Sequence, residues 1–144
     1  MNWKLIFKLS LFGLAMAFST VFVISPKVEP VIWPVIFLIC ACAIAAKSRA
    51  GGYFAHGLLL GLVNSVWITT AHILFFDRYV AGHPQEAAMM KSIPFSVAPR
   101  LMMAIVGLWV GVISGALIGL LALVAAKILR RTGAPAYANP SKPK

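Results

Sequence analysis

The chain has 144 residues, of which 61% are hydrophobic and 11% charged, and a formal net charge of +10. A soluble domain carries about a quarter charged residues, so this composition excludes an ordinary water-soluble domain and points to apolar side chains covered by lipid. The basic residues flank apolar runs and form no single basic surface, which makes them topology signals and leaves nucleic-acid binding unsupported.

Lys4 and Lys8 open the chain, and Leu5 to Ile24 forms a first spanning length if Lys8 snorkels to the surface. Ala15-Met16-Ala17 has the form of a signal-peptide cleavage site. The apolar run continues past it through Phe18, Val21, Phe22, Val23 and Ile24, so a retained first helix is expected. The segment Ser25 to Pro30 carries two prolines and is short enough to join antiparallel helices. A second helix is expected over Val31 to Ala46, with Pro30 and Pro34 in its first turns and Trp33 in an interfacial aromatic belt. Cys40 and Cys42 fall within it, two residues apart and on different faces. They act as small packing residues without a CxxC motif or a disulfide framework.

Lys47 to Gly52 forms the next short loop, and a third helix follows over Tyr53 to Phe76. Asp77 to Arg100 is the only substantial extramembrane segment between helices. Gly82-His83-Pro84 marks a helix start within it, with Glu86 in the first turn, where the helix dipole favours an acid. This predicts a short amphipathic helix over Gln85 to Ile93, with Met89 and Ile93 on one side, lying on the outer surface or capping the bundle. Pro94 and Pro99 then predict an extended path into the fourth helix. That helix is expected from Leu101 to Lys127, with Arg130 and Arg131 just beyond it. The tail Thr132 to Lys144 has too little apolar content to fold, and its lysines suit anionic lipid.

The expected fold is therefore an all-α membrane protein: one domain over residues 1–131 with four transmembrane helices in two antiparallel hairpins. A loop at 77–100 bears the short helix, and a basic tail spans 132–144. With a cytoplasmic N-terminus, nine basic residues (Lys4, Lys8, Lys47, Arg49, Lys127, Arg130, Arg131, Lys142 and Lys144) lie inside. Four (Lys27, Arg78, Lys91 and Arg100) lie outside with all three acids, Glu29, Asp77 and Glu86. This bias puts both termini in the cytoplasm, and the compact chain suggests a bacterial inner membrane. The two hairpins show no internal repeat of the kind that builds inverted-repeat transporters.

Helix four carries Gly107, Gly111, Gly115 and Gly119 at four-residue spacing, on one stripe with Ala104, Ser114, Ala122 and Ala126. Bulky Leu108, Trp109, Ile113 and Leu117 lie elsewhere. Such a stripe lets helix backbones approach closely in lipid, and it serves either an oligomer seam or packing within one chain. On helix three, Gly57, Gly61, Asn64, Ser65 and His72 fall on one face, offering a matching small-residue run. Pairing the two faces would bury Asn64 between helices three and four as a register pin. Alternatively Asn64, Thr69 and His72 line a polar path for a solute or proton. A conducting path needs polar groups on several helices. Helix four offers only Ser114, helix two no hydroxyl or amide, and helix one Ser10, Ser19 and Thr20.

The densest chemistry is His72, Asp77, His83 and Glu86 at the end of helix three. Imidazoles and carboxylates could hold zinc if the loop folded back, but their spacing matches no metal motif, and no metal or cofactor is expected. His56 suits a headgroup-level position. GxSxG, P-loop and HExxH motifs are missing, and three acids leave little for acid–base catalysis, so no enzyme is indicated. The leading expectation is a non-enzymatic membrane protein acting through helix–helix association, as a homo-oligomer or a small subunit of a membrane complex. Its alternatives are a small solute or ion carrier using the polar face of helix three, and a metal-dependent membrane enzyme.

Overall fold

The computed structural model describes residues 1–48, 51–92 and 98–131. Its helices in chain order are α1 (Trp3–Phe22), α2 (Glu29–Lys47), α3 (Tyr53–Leu74), α4 (Phe76–Gly82), α5 (Pro84–Ser92) and α6 (Pro99–Arg131). Among the described residues there is no strand. Four of the helices, α1, α2, α3 and α6, are long and apolar enough to cross a membrane. The tail from Thr132, together with Arg49, Ile93 and Pro94, lies outside the described residues.

Local chemistry accounts for the helix ends. Asn2 caps α1, its side-chain Oδ1 accepting the Leu5 N–H at 3.1 Å. Glu29 opens α2, earlier than the expected start at Val31, and its acid sits in the first turn where the dipole favours it. The early start places Pro34 inside the helix, beyond the turn where a missing N–H is costless, so Pro34 withholds the bond that would reach the Pro30 carbonyl. Pro84, lacking an N–H, opens α5 directly after the α4 end at Gly82 and the single linking residue His83. The segment between α3 and α6 thus holds two short helices where one was expected. Pro99 does not extend the chain ahead of the last helix; it is the first residue of that helix, where its fixed φ suits the first turn.

The helices do not pack simply in chain order. The most extensive contact joins α3 to α6, followed by α1 with α3 and α2 with α6, whereas consecutive α1 and α2 touch little. A Cβ added to Gly57 would overlap the Gly119 backbone, one on Gly61 the Gly115 backbone, one on Gly111 the Ser65 side chain, and one on Gly107 the Thr69 hydroxyl. Each step of four up α3 is matched by a step of four down α6, so the two helices run antiparallel. Close approach at this seam requires glycine: a Cβ on Gly115 would lie 2.6 Å from the Leu58 carbonyl oxygen.

Two adjacent i, i+4 rows on α3, about 100° apart around the helix, serve different partners. Gly57, Gly61, Ser65 and Thr69 face α6. One residue earlier in each turn, His56, Asn64 and His72 face α1. The Asn2 backbone N–H donates to His56 Nε2 at 2.9 Å, Asn64 packs on Gly13, and His72 Nε2 meets Thr20 Oγ1 at 3.0 Å. These partners rise together in number, so α1 and α3 run parallel. The expectation that Asn64 lies between helices three and four is therefore corrected: a single residue of offset turns it toward α1.

On the other flank of α6, Ile36, Cys40, Ala41, Ile44 and Ala45 of α2 share a buried core with Ile118, Ala122 and Ala126. Cys40 is fully buried there and Cys42 is exposed. The bulky residues of α6 set apart from the glycine stripe, Leu108, Trp109, Ile113 and Leu117, are exposed, forming a surface suited to lipid.

The seam generates a stability prediction. Overpacking a core that can adjust costs about 1–3 kcal/mol, and at Gly61 and Gly115 backbone meets backbone, so Gly61→Leu and Gly115→Leu should sit at or above the top of that range. Gly82→Ala, whose added Cβ meets nothing within 4 Å, should leave stability within about 0.5 kcal/mol. Reversible unfolding in mixed micelles measures the difference; equal stability of all three variants would contradict the seam.

Candidate functional site

Beyond the α2–α6 core, toward the end of the bundle that holds α4 and α5, the helices enclose a cavity of about 570 Å³. The first turns of α2 bring Glu29 and Trp33 to it, α3 brings Ile68, Thr69 and His72, and α4 and α5 bring Tyr79, Glu86, Met89 and Met90. The start of α6 supplies Met102, Met103, Val106, Gly107 and Val110. Val106 and Val110 are half exposed, so part of the lining belongs to the exposed apolar surface of α6. Its volume lies within the range of about 300–1,000 Å³ typical of small-molecule sites. The lining also has the expected character: mainly apolar with a few polar groups, and Met side chains adapt to irregular guests.

The polar groups are ordered by a stack of three rings. Tyr79 lies against His72 with ring centroids 3.9 Å apart and against His83 at 4.1 Å, both nearly parallel. Both faces of the phenol ring are thereby occupied, leaving its hydroxyl to donate to Glu86 Oε2 at 2.5 Å. Burial, that hydrogen bond and the nearby Glu86 and Glu29 charges raise the Tyr79 pKa far above its ordinary value, so it remains a donor. His72 is anchored from α1: Thr20 turns its hydroxyl to the Ala17 carbonyl at 3.3 Å, so His72 Nε2–H donates to the Thr20 oxygen.

His83 is 3% exposed, and its Nδ1 lies 2.9 Å from the Tyr79 carbonyl oxygen. A carbonyl only accepts, so Nδ1 carries the proton. Nε2 then faces Glu29 Oε2 at 3.8 Å, beyond a hydrogen bond. Among the described residues, Nε2 is one of the buried polar atoms without a hydrogen-bond partner. The other Glu29 oxygen accepts the Trp33 indole N–H at 3.0 Å, an i, i+4 pair on the first turns of α2.

The expected candidate residues are distributed as follows. Thr69, His72 and Glu86 line the cavity, and His83 stands one ring behind it. Asp77 is exposed on α4 and belongs to no part of the cluster. Asn64 packs against Gly13, with its Oδ1 unpartnered among the described residues. Among those residues, no group of three histidine, cysteine or acidic side chains is placed to hold a metal ion. His56, expected at headgroup level, is buried and ties the start of α3 to the start of α1. Its Nδ1–H donates to the Gly52 carbonyl at 2.6 Å while Nε2 accepts from Asn2.

Glu29, Trp33, Tyr79 and the four methionines were not named as site residues from the sequence, which placed Trp33 in an interfacial belt, Glu29 in a turn and Met89 on one side of a short helix. The signals for some were present: Glu29 and Trp33, and Tyr79 and His83, are i, i+4 pairs that share a helix face. Compared with known proteins, the chain matches no family model, no curated protein and no solved structure.

A specific consequence concerns α5, which buries none of its own residues. Its Glu86 is held by the Tyr79 phenol, and hydrogen bonds to charged groups contribute about 1.5–3 kcal/mol. Tyr79→Phe keeps the ring stack and deletes this bond. Amide exchange across α5 should then accelerate roughly tenfold or more, while α3 and α6 exchange as before. Unchanged α5 exchange would mean that another contact holds that helix.

Proposed function

We propose that this is a multi-pass membrane protein that takes up a small, largely apolar molecule from the bilayer into the cavity beneath α4 and α5. The carrying observation is the cavity itself, which gathers Glu29, Thr69, His72, Tyr79 and Glu86 from four helices around one apolar space; the exposed Val106 and Val110 of its lining would give it a side that lipid reaches. The small-residue faces behind the helix-association reading pack against each other within one chain, which leaves that reading without its motive. A path along α3 through Asn64, Thr69 and His72 is also disfavoured, since Asn64 packs against Gly13 of α1 while Thr69 and His72 border the cavity. The proposal is thus the binding step of a carrier or receptor, with the guest seated at one end of the bundle.

The charge bias carries an orientation with this proposal. Four spans with cytoplasmic termini, in a membrane such as the bacterial inner membrane, would place α4, α5 and the cavity on the outer side; the expected pairing of the first two helices as a packed hairpin gives way to α1 on α3 and α2 on α6. The basic tail would rest on anionic lipid of the inner leaflet.

The test uses three probes that share one apolar body and differ in charge: phenylbutanol, phenylbutylammonium and phenylbutyrate. The full-length protein in zwitterionic nanodiscs should bind at least one of them saturably, after subtraction of empty nanodiscs. Val106→Trp, a change at an exposed lining position, should fill the cavity and weaken that binding at least tenfold without lowering thermal stability. Saturable binding by none of the three, or binding indifferent to Val106→Trp, removes the proposal.

A further inference from the structure

Resting on that reading, we propose that the cavity selects organic ammonium ions, with Glu29 and Glu86 binding the charged head and the apolar body lying among the methionines. Both carboxylates line the cavity; among the described residues neither is paired with a lysine or arginine, and the one ionisable partner is His83, whose Nε2 lies 3.8 Å from Glu29 Oε2. Arg100, the basic residue at the start of α6, lies with its guanidinium 5.4 Å from the centre of the Phe76 ring.

Among the described residues, each carboxylate accepts a hydrogen bond at one oxygen. Glu29 Oε1 takes the Trp33 indole N–H and Glu86 Oε2 takes the Tyr79 hydroxyl. These neutral donors orient the groups without cancelling their charge. Glu29 Oε2 has His83 Nε2 as its neighbour at 3.8 Å, a separation too long for a hydrogen bond. A carboxylate beside an apolar space is costly unless paired, so the two oxygens without a hydrogen-bond partner among the described residues set a negative potential that a guest cation would neutralise. An ammonium head donates N–H groups to carboxylates and gains charge-assisted hydrogen bonds.

A second, independent observation comes from His83. It is almost completely buried and its Nδ1 proton is committed to the Tyr79 carbonyl, which leaves Nε2, without a hydrogen-bond partner among the described residues, aimed at Glu29. In the neutral ring this atom is an acceptor, like the carboxylate oxygen it faces. Glu29 lines the cavity and His83 stands behind it, so a guest reaches this pair only through the Glu29 carboxylate, by supplying a donor that an anionic or purely apolar guest lacks. Trp33 adds an aromatic surface at the same wall of the cavity, to which an ammonium ion is attracted through the ring quadrupole. The Tyr79 ring does not contribute in this way, because both its faces are covered by histidines.

The thioethers and valines set the rest of the selectivity. Met89, Met90, Met102 and Met103 offer flexible apolar contacts and no positive charge. A small hydrated metal cation would leave that surface unused, whereas an amine with an aryl or alkyl body covers it. The exposed side at Val106 and Val110 would admit such a body from the bilayer while the head remains near the α4–α5 end.

The experiment compares phenylbutylammonium, phenylbutanol and phenylbutyrate on the full-length protein in zwitterionic nanodiscs. The ammonium ion should bind at least about tenfold tighter than the alcohol, the gain of one charge-assisted hydrogen bond, with the carboxylate weakest. In Glu29→Gln and in Glu86→Gln, which keep the shape and remove the charge, the ammonium-to-alcohol affinity ratio should fall at least tenfold. Binding of the alcohol or the carboxylate as tight as the ammonium ion would overturn the cation inference while leaving the cavity reading intact. A ratio unchanged in both glutamine variants would overturn it as well. Saturable binding by none of the probes would defeat the cavity reading itself and this inference with it.

Discussion

The close approach of α3 and α6 along their glycine faces is the constraint on which the rest of the molecule depends. In lipid the hydrophobic effect does not drive helices together, so contact must come from packing and polar bonds. Gly57 against Gly119 and Gly61 against Gly115 bring backbone to backbone with no side chain between. That contact fixes the register of the two helices, and the register in turn sets which residues are left for the other partners. The row one residue earlier on α3 falls to α1, and the Ile118–Ala122–Ala126 flank of α6 falls to α2. The third and last long helices therefore act as the spine of the bundle, with the first and second attached on either side.

The cavity follows from how α2 is attached. Its buried contacts with α6 run from Ile36 to Ala45, whereas its first turns carry Glu29, Trp33 and an internal proline. Those turns border open space where α6 presents Val106, Gly107 and Val110. The glycine that permits the close seam at one helix thus also leaves room at the cavity wall. The His72–Tyr79–His83 stack then props α4 across the end of the bundle and holds the Glu86 carboxylate in place. Packing at the spine, space beside it and acids around that space form one causal chain from small residues to the lined cavity.

Much of the architecture was legible in the sequence because it depends on local pattern. Four apolar runs bounded by charges and prolines mark the spans, and four glycines at strict spacing mark a close-packing face. What could not be read were contacts that depend on which helix meets which. Asn64 sits one residue from the seam row, and a 100° rotation decides between α6 and α1, a choice that only the packed register makes. Glu29 looked like a turn residue, yet it begins a helix and reaches a cavity shared with α3, α5 and α6. Tyr79 carried no motif, although it is the centre of the ring stack. Asp77, grouped with the histidines by proximity in the chain, faces away because successive helical residues diverge by 100°.

The most direct measurement of the spine is the glycine contact itself, in a bilayer. Protein carrying carbon-13 only at glycine should give Cα–Cα cross-peaks between Gly57 and Gly119 and between Gly61 and Gly115 in solid-state nuclear magnetic resonance spectra. Their intensity per labelled molecule should persist when the labelled chain is diluted in an excess of unlabelled chain, because both partners belong to one molecule. Cross-peaks that disappear on dilution would show that the glycine faces join separate chains. Their absence from the undiluted sample would contradict the close seam altogether.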